Sequence, residues 1–243
     1  MTEVEIVVPI YKEFLNAREE FSLDHSLKTL ANYRRVFIAP MGLNVAYYAT
    51  RYGGCFRFYH PDFFSSPQGY SRLLVSAEFY EGFAGVEFLL ILQPDVFVFR
   101  DDLPRWLAHP FDYVGAPWPD GFELRVQAGK FAIAGGKTIK AYVGNGGFSL
   151  RRRAKCIALI REHTEIARWF VLTGSNEDLF FSIMGSLSSD FILPNQMTAS
   201  EFALELDPEK YFELNGHTLP MGVHAWEKYS PDFWRTHMPP WPE

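Results

Sequence analysis

The sequence predicts an α/β protein: one α/β/α sandwich on a mixed, mainly parallel central sheet. Three observations carry that expectation. Apolar, β-branched runs alternate with helical periodicity through the first half of the chain. The run Glu87–Leu92 (EFLLIL) is apolar almost throughout, as a strand covered on both faces must be. The second half mixes helical and extended patterns, with no internal repeat and no linker. The chain has 243 residues, 48% hydrophobic and 21% charged, which supplies apolar surface for a large core and argues against disorder.

In order, Val4–Ile10 (VEIVVPI) reads as a buried first strand closed by Pro9, because proline cannot donate to a ladder. Glu13–Leu30 carries Phe14, Ala17, Phe21, Leu23, Leu27 and Leu30 near helical spacing. Val36–Ala39 is a second strand, and this β-α-β opening implies a parallel pair with a right-handed crossover. Phe56–Tyr59 is a short third strand, and Gln68–Phe83 a helix with Leu73, Leu74, Ala77 and Tyr80 on one face. The strand Glu87–Leu92 runs into the turn Gln93-Pro94-Asp95 and a second β-type run, Val96–Phe99. Asp101–Ala108 reads as a short helix and Tyr113–Trp118 as extended. The Gly-rich stretch Pro119–Lys140 looks like a hairpin or mobile insertion, and Tyr142–Leu150 returns to the core. Arg151–Phe170 and Asn176–Met184 read as helices, the second with Asn176 as candidate cap; beyond Pro194 the pattern weakens.

Composition removes several function classes. A net charge of -6 and a pI of about 5.7 oppose a nucleic-acid binder, which would carry a basic footprint. Cys55 and Cys156 make neither a disulfide framework nor a cysteine zinc site, and both are expected to be buried thiols. No signal peptide is visible and the longest apolar run, Phe88–Leu92, is far too short to span a membrane, so a cytoplasmic globular protein is expected. Three motif imitations fail. Gly135-Gly136-Lys137-Thr138 has Phe131 where a P-loop needs glycine, Gly69-Tyr70-Ser71-Arg72-Leu73 lacks the second glycine of a nucleophile elbow, and Gly144–Gly147 lacks dinucleotide-binding spacing.

Four elements remain. Asp95 sits just past an apolar strand, where a parallel sheet presents its ligand edge; Gln93 shares its side of the turn and Pro94 stiffens it. A capped turn is the plainer reading. Gly144-Asn145-Gly146-Gly147-Phe148-Ser149-Leu150 lets backbone approach a ligand closely. Asn176-Glu177-Asp178 opens an apolar helix: two acids there favour the helix dipole, or place a carboxylate to take a proton in a cleft. His224 lies in Met221-Gly222-Val223-His224-Ala225-Trp226, where a satisfied core histidine is the ordinary outcome. Arg151-Arg152-Arg153 reads either as a solvated helix start or as a phosphate grip. Arg72 and Glu78 are expected to face the cleft, and the role of Glu205 is not readable. The aromatic tail, with Trp234 and Trp241, offers a surface for peripheral contact with a membrane or partner.

Taken together, these elements occur in the order seen in GT-A glycosyltransferases. The chain also resembles, nearly end to end, a bacterial family of formerly unknown function assigned to that Rossmann-like fold. The strings that carry the resemblance are Val8–Lys12 (VPIYK), Gln93–Phe99 (QPDVFVF), Asp112–Trp118 (DYVGAPW), Gly144–Arg152 (GNGGFSLRR) and Gly222–Trp226 (GVHAW). The resemblance implies one GT-A-like domain, with a nucleotide-binding half of about residues 1–118 and an acceptor half of about 119–243. Pro9, Ile10 and Tyr11 would seat the nucleotide base, and Asp95 and His224 would bind Mn²⁺ or Mg²⁺. Gln93 replaces the usual first aspartate and brings no charge. Asn145, Gly146 and Gly147 would line the donor sugar pocket, and Arg72 would join the nucleotide site. Asp178 would be the general base of an inverting transfer, with Glu177 its rival. The implied reaction moves a sugar, UDP-hexose of galactose type as first guess, to a glycan or lipid-linked glycan acceptor in surface-polysaccharide (O-antigen) synthesis at the inner face of the membrane. A nucleotidyltransferase would need a glycine-rich basic loop after the first strand, where Tyr11-Lys12-Glu13-Phe14 stands. A non-catalytic carbohydrate-binding domain is the other alternative, and Gln93 sustains it.

Overall fold

The computed structural model describes residues 2–126 and 136–242. Four strands, β1 (Thr2–Pro9), β2 (Arg34–Pro40), β3 (Cys55–Tyr59) and β4 (Val86–Leu92), run parallel. Two more, β6 (Tyr113–Val114) and β9 (Phe148–Arg152), return antiparallel, giving a six-stranded sheet in the order β3-β2-β1-β4-β9-β6. Successive side chains of β1 and β4 feed opposite cores, which is why both strands are apolar. Ile6, Val8, Leu90 and Leu92 pack with α1 (Ala17–Thr29) and α2 (Ala46–Tyr52). Val7, Leu89 and Ile91 pack on the other face with α3 (Pro67–Leu74), α4 (Ala77–Glu81) and later helices. Full burial of each such side chain is worth about 1.5–3 kcal/mol.

Two smaller sheets complete the strands. β5 (Phe97–Val98), β10 (Ala203–Leu204) and β11 (Gly222–Val223) pair in the order β10-β11-β5, and β7 (Pro117–Val126) forms an antiparallel hairpin with β8 (Lys137–Val143). The remaining helices are α5 (Leu103–Leu107), α6 (Arg153–Glu162), α7 (Thr164–Leu172), α8 (Glu177–Leu187), α9 (Gln196–Phe202), α10 (Pro208–Leu214) and α11 (Pro231–Arg235).

The differences from the sequence reading have local causes. The first helix starts at Ala17 rather than Glu13 because Asn16 and Glu19 close a capping box. The stretch Gln68–Phe83 is two helices, since Ser76 accepts the Phe79 N–H and restarts the chain. Arg151 and Arg152 belong to β9, so the helical stretch begins at Arg153, and it is interrupted again at His163. Asn176 occupies the cap position of α8 without a side-chain cap bond. Cys55 is exposed on the outer strand, whereas Cys156 is buried as expected. Trp234 is buried in the third core cluster and Trp241 packs on Trp226, so the tail's rings are largely engaged internally. Thr138 of the P-loop imitation lies in β8 of the hairpin, while Phe131 and Gly135 lie outside the described residues. Among the described residues, no helix is long and apolar enough to cross a membrane.

Candidate active site

A cavity of about 660 Å³ opens at the carboxyl ends of β1 and β4. Crevices at this edge of a parallel sheet are where α/β proteins bind ligands, because the loops there splay while the strands fix their bases. The Gln93-Pro94-Asp95 turn leaves β4 and enters β5 directly, with the Gln93 N–H donating to the Gly147 carbonyl at 2.9 Å. β11 pairs antiparallel with β5 in the register Val223↔Phe97. That pairing returns a segment more than a hundred residues downstream to the turn and sets His224 beside it.

The His224 ring is held from both sides. Nδ1 lies 2.8 Å from Glu205 Oε2 and 3.1 Å from Asn145 Oδ1; Nε2 lies 3.0 Å from Gln93 Oε1 and 3.4 Å from Asp95 Oδ1. Burial alone would lower the imidazole pKa, but Asp95 and Glu205 outweigh it and raise it to about 10. Asp95 moves the opposite way: burial pushes its carboxyl up, and His224 more than compensates, leaving it below the usual value. Asn145 adopts φ +55°, a left-handed conformation that asparagine tolerates, and this turns its side chain toward the ring. Gly147 lies directly beneath the imidazole; a Cβ there would stand 2.4 Å from Nε2.

The spacing of the donor atoms around His224 suits a divalent ion. Octahedral Mn²⁺ or Mg²⁺ keeps neighbouring ligand atoms about 3 Å apart, the diagonal of bonds of about 2.1 Å. The separations of 3.0 and 3.4 Å around His224 Nε2 fit that spacing. The donors are one carboxylate, one imidazole and one neutral amide. Among the described residues, no three His, Cys, Asp or Glu side chains gather to hold a metal. An ion here would therefore take further oxygens from its ligand. Glu205, accepting from Nδ1, would orient the histidine for it.

In the same cavity, α8 begins with the two acids, and they do different work. Glu177 is buried and fully engaged: Oε1 pairs with Arg151 at 2.9 Å and Oε2 accepts from Ser71 Oγ at 3.0 Å. Arg151 has no exposed surface and also donates to Tyr80 Oη and Ser149 Oγ, each at 3.0 Å. Both readings of the arginine triplet thus give way to an internal pair. Arg152 bridges Asp112 and Glu87, and Arg153 donates to the Val86 carbonyl. Asp178 is half-buried and lines the cavity; burial, then the neighbouring charge of Glu177, raises its carboxyl to about 7.

Pro9, Tyr11, Gln93, Asp95, Asn145, Gly146, Gly147, Glu177, Asp178 and His224 therefore share one cavity. Three expected residues do not. Ile10 is buried in the core, its N–H bonded to Ile38 O, because strand alternation turns it inward between Pro9 and Tyr11. Arg72 is exposed and lies over the Phe63 ring at 5.0 Å, while its neighbour Ser71 takes the cavity face of α3. Glu78 is exposed as well and lines no part of the cavity. The sequence reading left Glu205 without a role and missed Ser71, Tyr229 and the hairpin rings Trp118 and Phe122.

A family model described as "Protein of unknown function (DUF5672)" matches residues 55–224, from the start of β3 to the site histidine. No curated protein sequence matches the chain. Among solved structures, the galactosyltransferase LgtC in complex with donor and acceptor sugar analogs is 17% identical, with a TM-score of 0.58 over 90% of this chain and 86% of that one. An active-site glutamine-to-glutamate mutant of LgtC matches over the same shares at a TM-score of 0.55. The glycosyltransferase GlyE of Streptococcus pneumoniae TIGR4 is 14% identical over 99% of this chain and 61% of that chain, with a TM-score of 0.47. At these identities the likeness is one of fold: the mainly parallel α/β sandwich is that of the GT-A glycosyltransferase LgtC.

Proposed function

We propose that this chain, which belongs to the DUF5672 family, is a glycosyltransferase that moves a sugar from a nucleoside-diphosphate donor to a saccharide acceptor. The observation that carries the reading is the meeting of Gln93, Asp95 and His224 within 3.0–3.4 Å, in the same cavity as Asp178. That arrangement offers a charged end for a diphosphate and a separate carboxyl with a pKa near neutrality. The shared fold with a galactosyltransferase supports a UDP-linked hexose as donor, with galactose tried first.

In the mechanism, Pro9 and Tyr11 at the end of β1 form the wall for the nucleotide base. Asp95, Gln93 and His224 face the diphosphate. A Mn²⁺ or Mg²⁺ ion held by these three residues would neutralise the charge growing on the departing diphosphate. Asp178 takes the proton from the acceptor hydroxyl as it attacks; a carboxyl at about 7 is half-ionised near neutral pH and retains a driving force for the transfer. An inverting outcome follows if Asp178 acts on the face opposite the leaving group. Asp178 is preferred to Glu177 as the base because Arg151 and Ser71 hold both Glu177 oxygens inside the protein. Its part is to fix the start of α8.

The test is release of UDP from a panel of UDP-hexoses by wild type, Asp178→Asn and Asp95→Asn. Wild type is expected to turn over at least one donor, and removal of the base to slow it about 10²–10⁴-fold. Wild-type protein that releases nucleotide from no donor overturns the assignment. One second reading has an observation behind it. With Gln93 in place of an acid and only two charged donors at the turn, the domain could bind glycan without chemistry; glycan binding with no affinity for UDP would favour it.

A further inference from the structure

The hairpin β7–β8 departs from regular pairing at the cavity. Pro117 pairs with Val143 and Phe122 with Ala141, so five steps along β7 match two along β8. The surplus residues form a bulge, with Gly121 at φ +69°. Bulges of this kind re-aim side chains, and this one turns Trp118 and Phe122 into the cavity that holds Asp178. The two rings lie 5.3 Å apart at 57°. Trp118 is rigidly seated: Gln196 Nε2 donates to its carbonyl and to that of Pro119, each at 3.1 Å. Its indole crosses Gly144 so closely that a Cβ there would fall 2.0 Å from Cη2. Phe122 is 50% exposed, so its ring is open to a ligand in the cavity.

We propose that Trp118 and Phe122 form the stacking platform for the acceptor, and that the acceptor presents a pyranose ring. The inference rests on the transferase reading for the word acceptor, and on geometry for the platform. A pyranose has one apolar C–H face and a polar rim, which suits a rigid aromatic surface beside a carboxyl: the face covers the rings while a hydroxyl reaches Asp178. The proposed function gives the nucleotide base a different part of the cavity lining, Pro9 and Tyr11 at the end of β1. β8 packs along α8, so the platform stands on the Asp178 side of the cavity.

The test uses saturation-transfer NMR on the intact protein with lactose and methyl β-D-glucopyranoside, and with sorbitol as an acyclic polyol lacking a ring face. Wild type should bind the pyranosides and not sorbitol. Phe122→Ala should weaken pyranoside binding about tenfold, and Trp118→Phe less. UDP affinity in the same samples should stay constant. Because Phe122 is half-exposed, its truncation leaves the core intact even if Trp118→Ala disturbs the loop at Gly144. Pyranoside signals that are absent, matched by sorbitol, or unchanged in Phe122→Ala overturn the platform. Signals lost in Phe122→Ala, from a wild type that binds no UDP, would keep the platform and remove the transferase.

Discussion

Replacing Glu177 with glutamine removes one charge from a buried pair while keeping the side chain's shape. Arg151 is fully enclosed, and its other partners, Tyr80 Oη, Ser149 Oγ and Gly146 O, are neutral. Taking the charge from one member of a buried pair leaves the other uncompensated and costs about 3–5 kcal/mol; glutamine, which can still accept from Arg151, should sit near 3. For a chain of this size, about 2–4 °C per kcal/mol gives a fall in Tm of roughly 6–12 °C. The double variant Arg151→Met/Glu177→Leu should recover much of that loss, because two matched apolar groups leave no orphan charge. The same substitution speaks to catalysis. The charge of Glu177 helps to raise Asp178, so Glu177→Gln should move the acidic limb of the pH–rate profile below its wild-type position near 7. Thermal unfolding and kcat/KM against pH measure both effects. A Tm change under about 2 °C would refute the buried-pair argument, and an unmoved limb would refute the coupling.

Wild-type kcat/KM should fall on the acid side of pH about 7, since Asp178 must be ionised to accept a proton; a flat profile between pH 5 and 8 contradicts this. Its raised folded-state pKa also means that Asp178 contributes stability while protonated, and that this is lost as pH rises through about 7. Asp178→Asn should therefore have a higher Tm than wild type at pH 8, as differential scanning calorimetry can read, while turning over about 10²–10⁴-fold more slowly. Gln93→Glu keeps the side-chain length, places a charged oxygen where Oε1 stands 3.0 Å from His224 Nε2, and should tighten Mn²⁺ binding by about tenfold or more in an electron paramagnetic resonance titration. Gly147→Ala should displace the imidazole and remove activity while circular dichroism stays native-like, because its Cβ would stand 2.4 Å from Nε2.

The central sheet was legible because β1 and β4 alternate between two apolar cores and so read as continuous hydrophobic runs. The turn acids and the glycine loop were legible because they sit at element ends, where special residues stand out from the periodic background. The meeting of Asp95 with His224 was supplied by the order of motifs in the GT-A resemblance, since no local spacing encodes a contact made through two-residue strands. Glu205 was unreadable for the same reason. It acquires its place only when Leu204 pairs with Val223, which sets Glu205 alongside the histidine. Arg151 misled because Phe148 and Leu150 supply the apolar face of β9, and the alternate positions Ser149 and Arg151 look solvent-facing. Both are buried, enclosed with Glu177 in a polar pocket that only the tertiary fold creates.

Calorimetry of UDP, with and without Mn²⁺, on wild type, Asp95→Asn and His224→Ala tests most directly whether the turn acid and the late histidine serve one ligand. UDP should bind wild type more tightly with the ion present, and both substitutions should remove that gain. Binding of UDP that ignores the ion and both side chains, or no binding at all, would contradict the assignment of this cavity to a nucleotide-sugar donor.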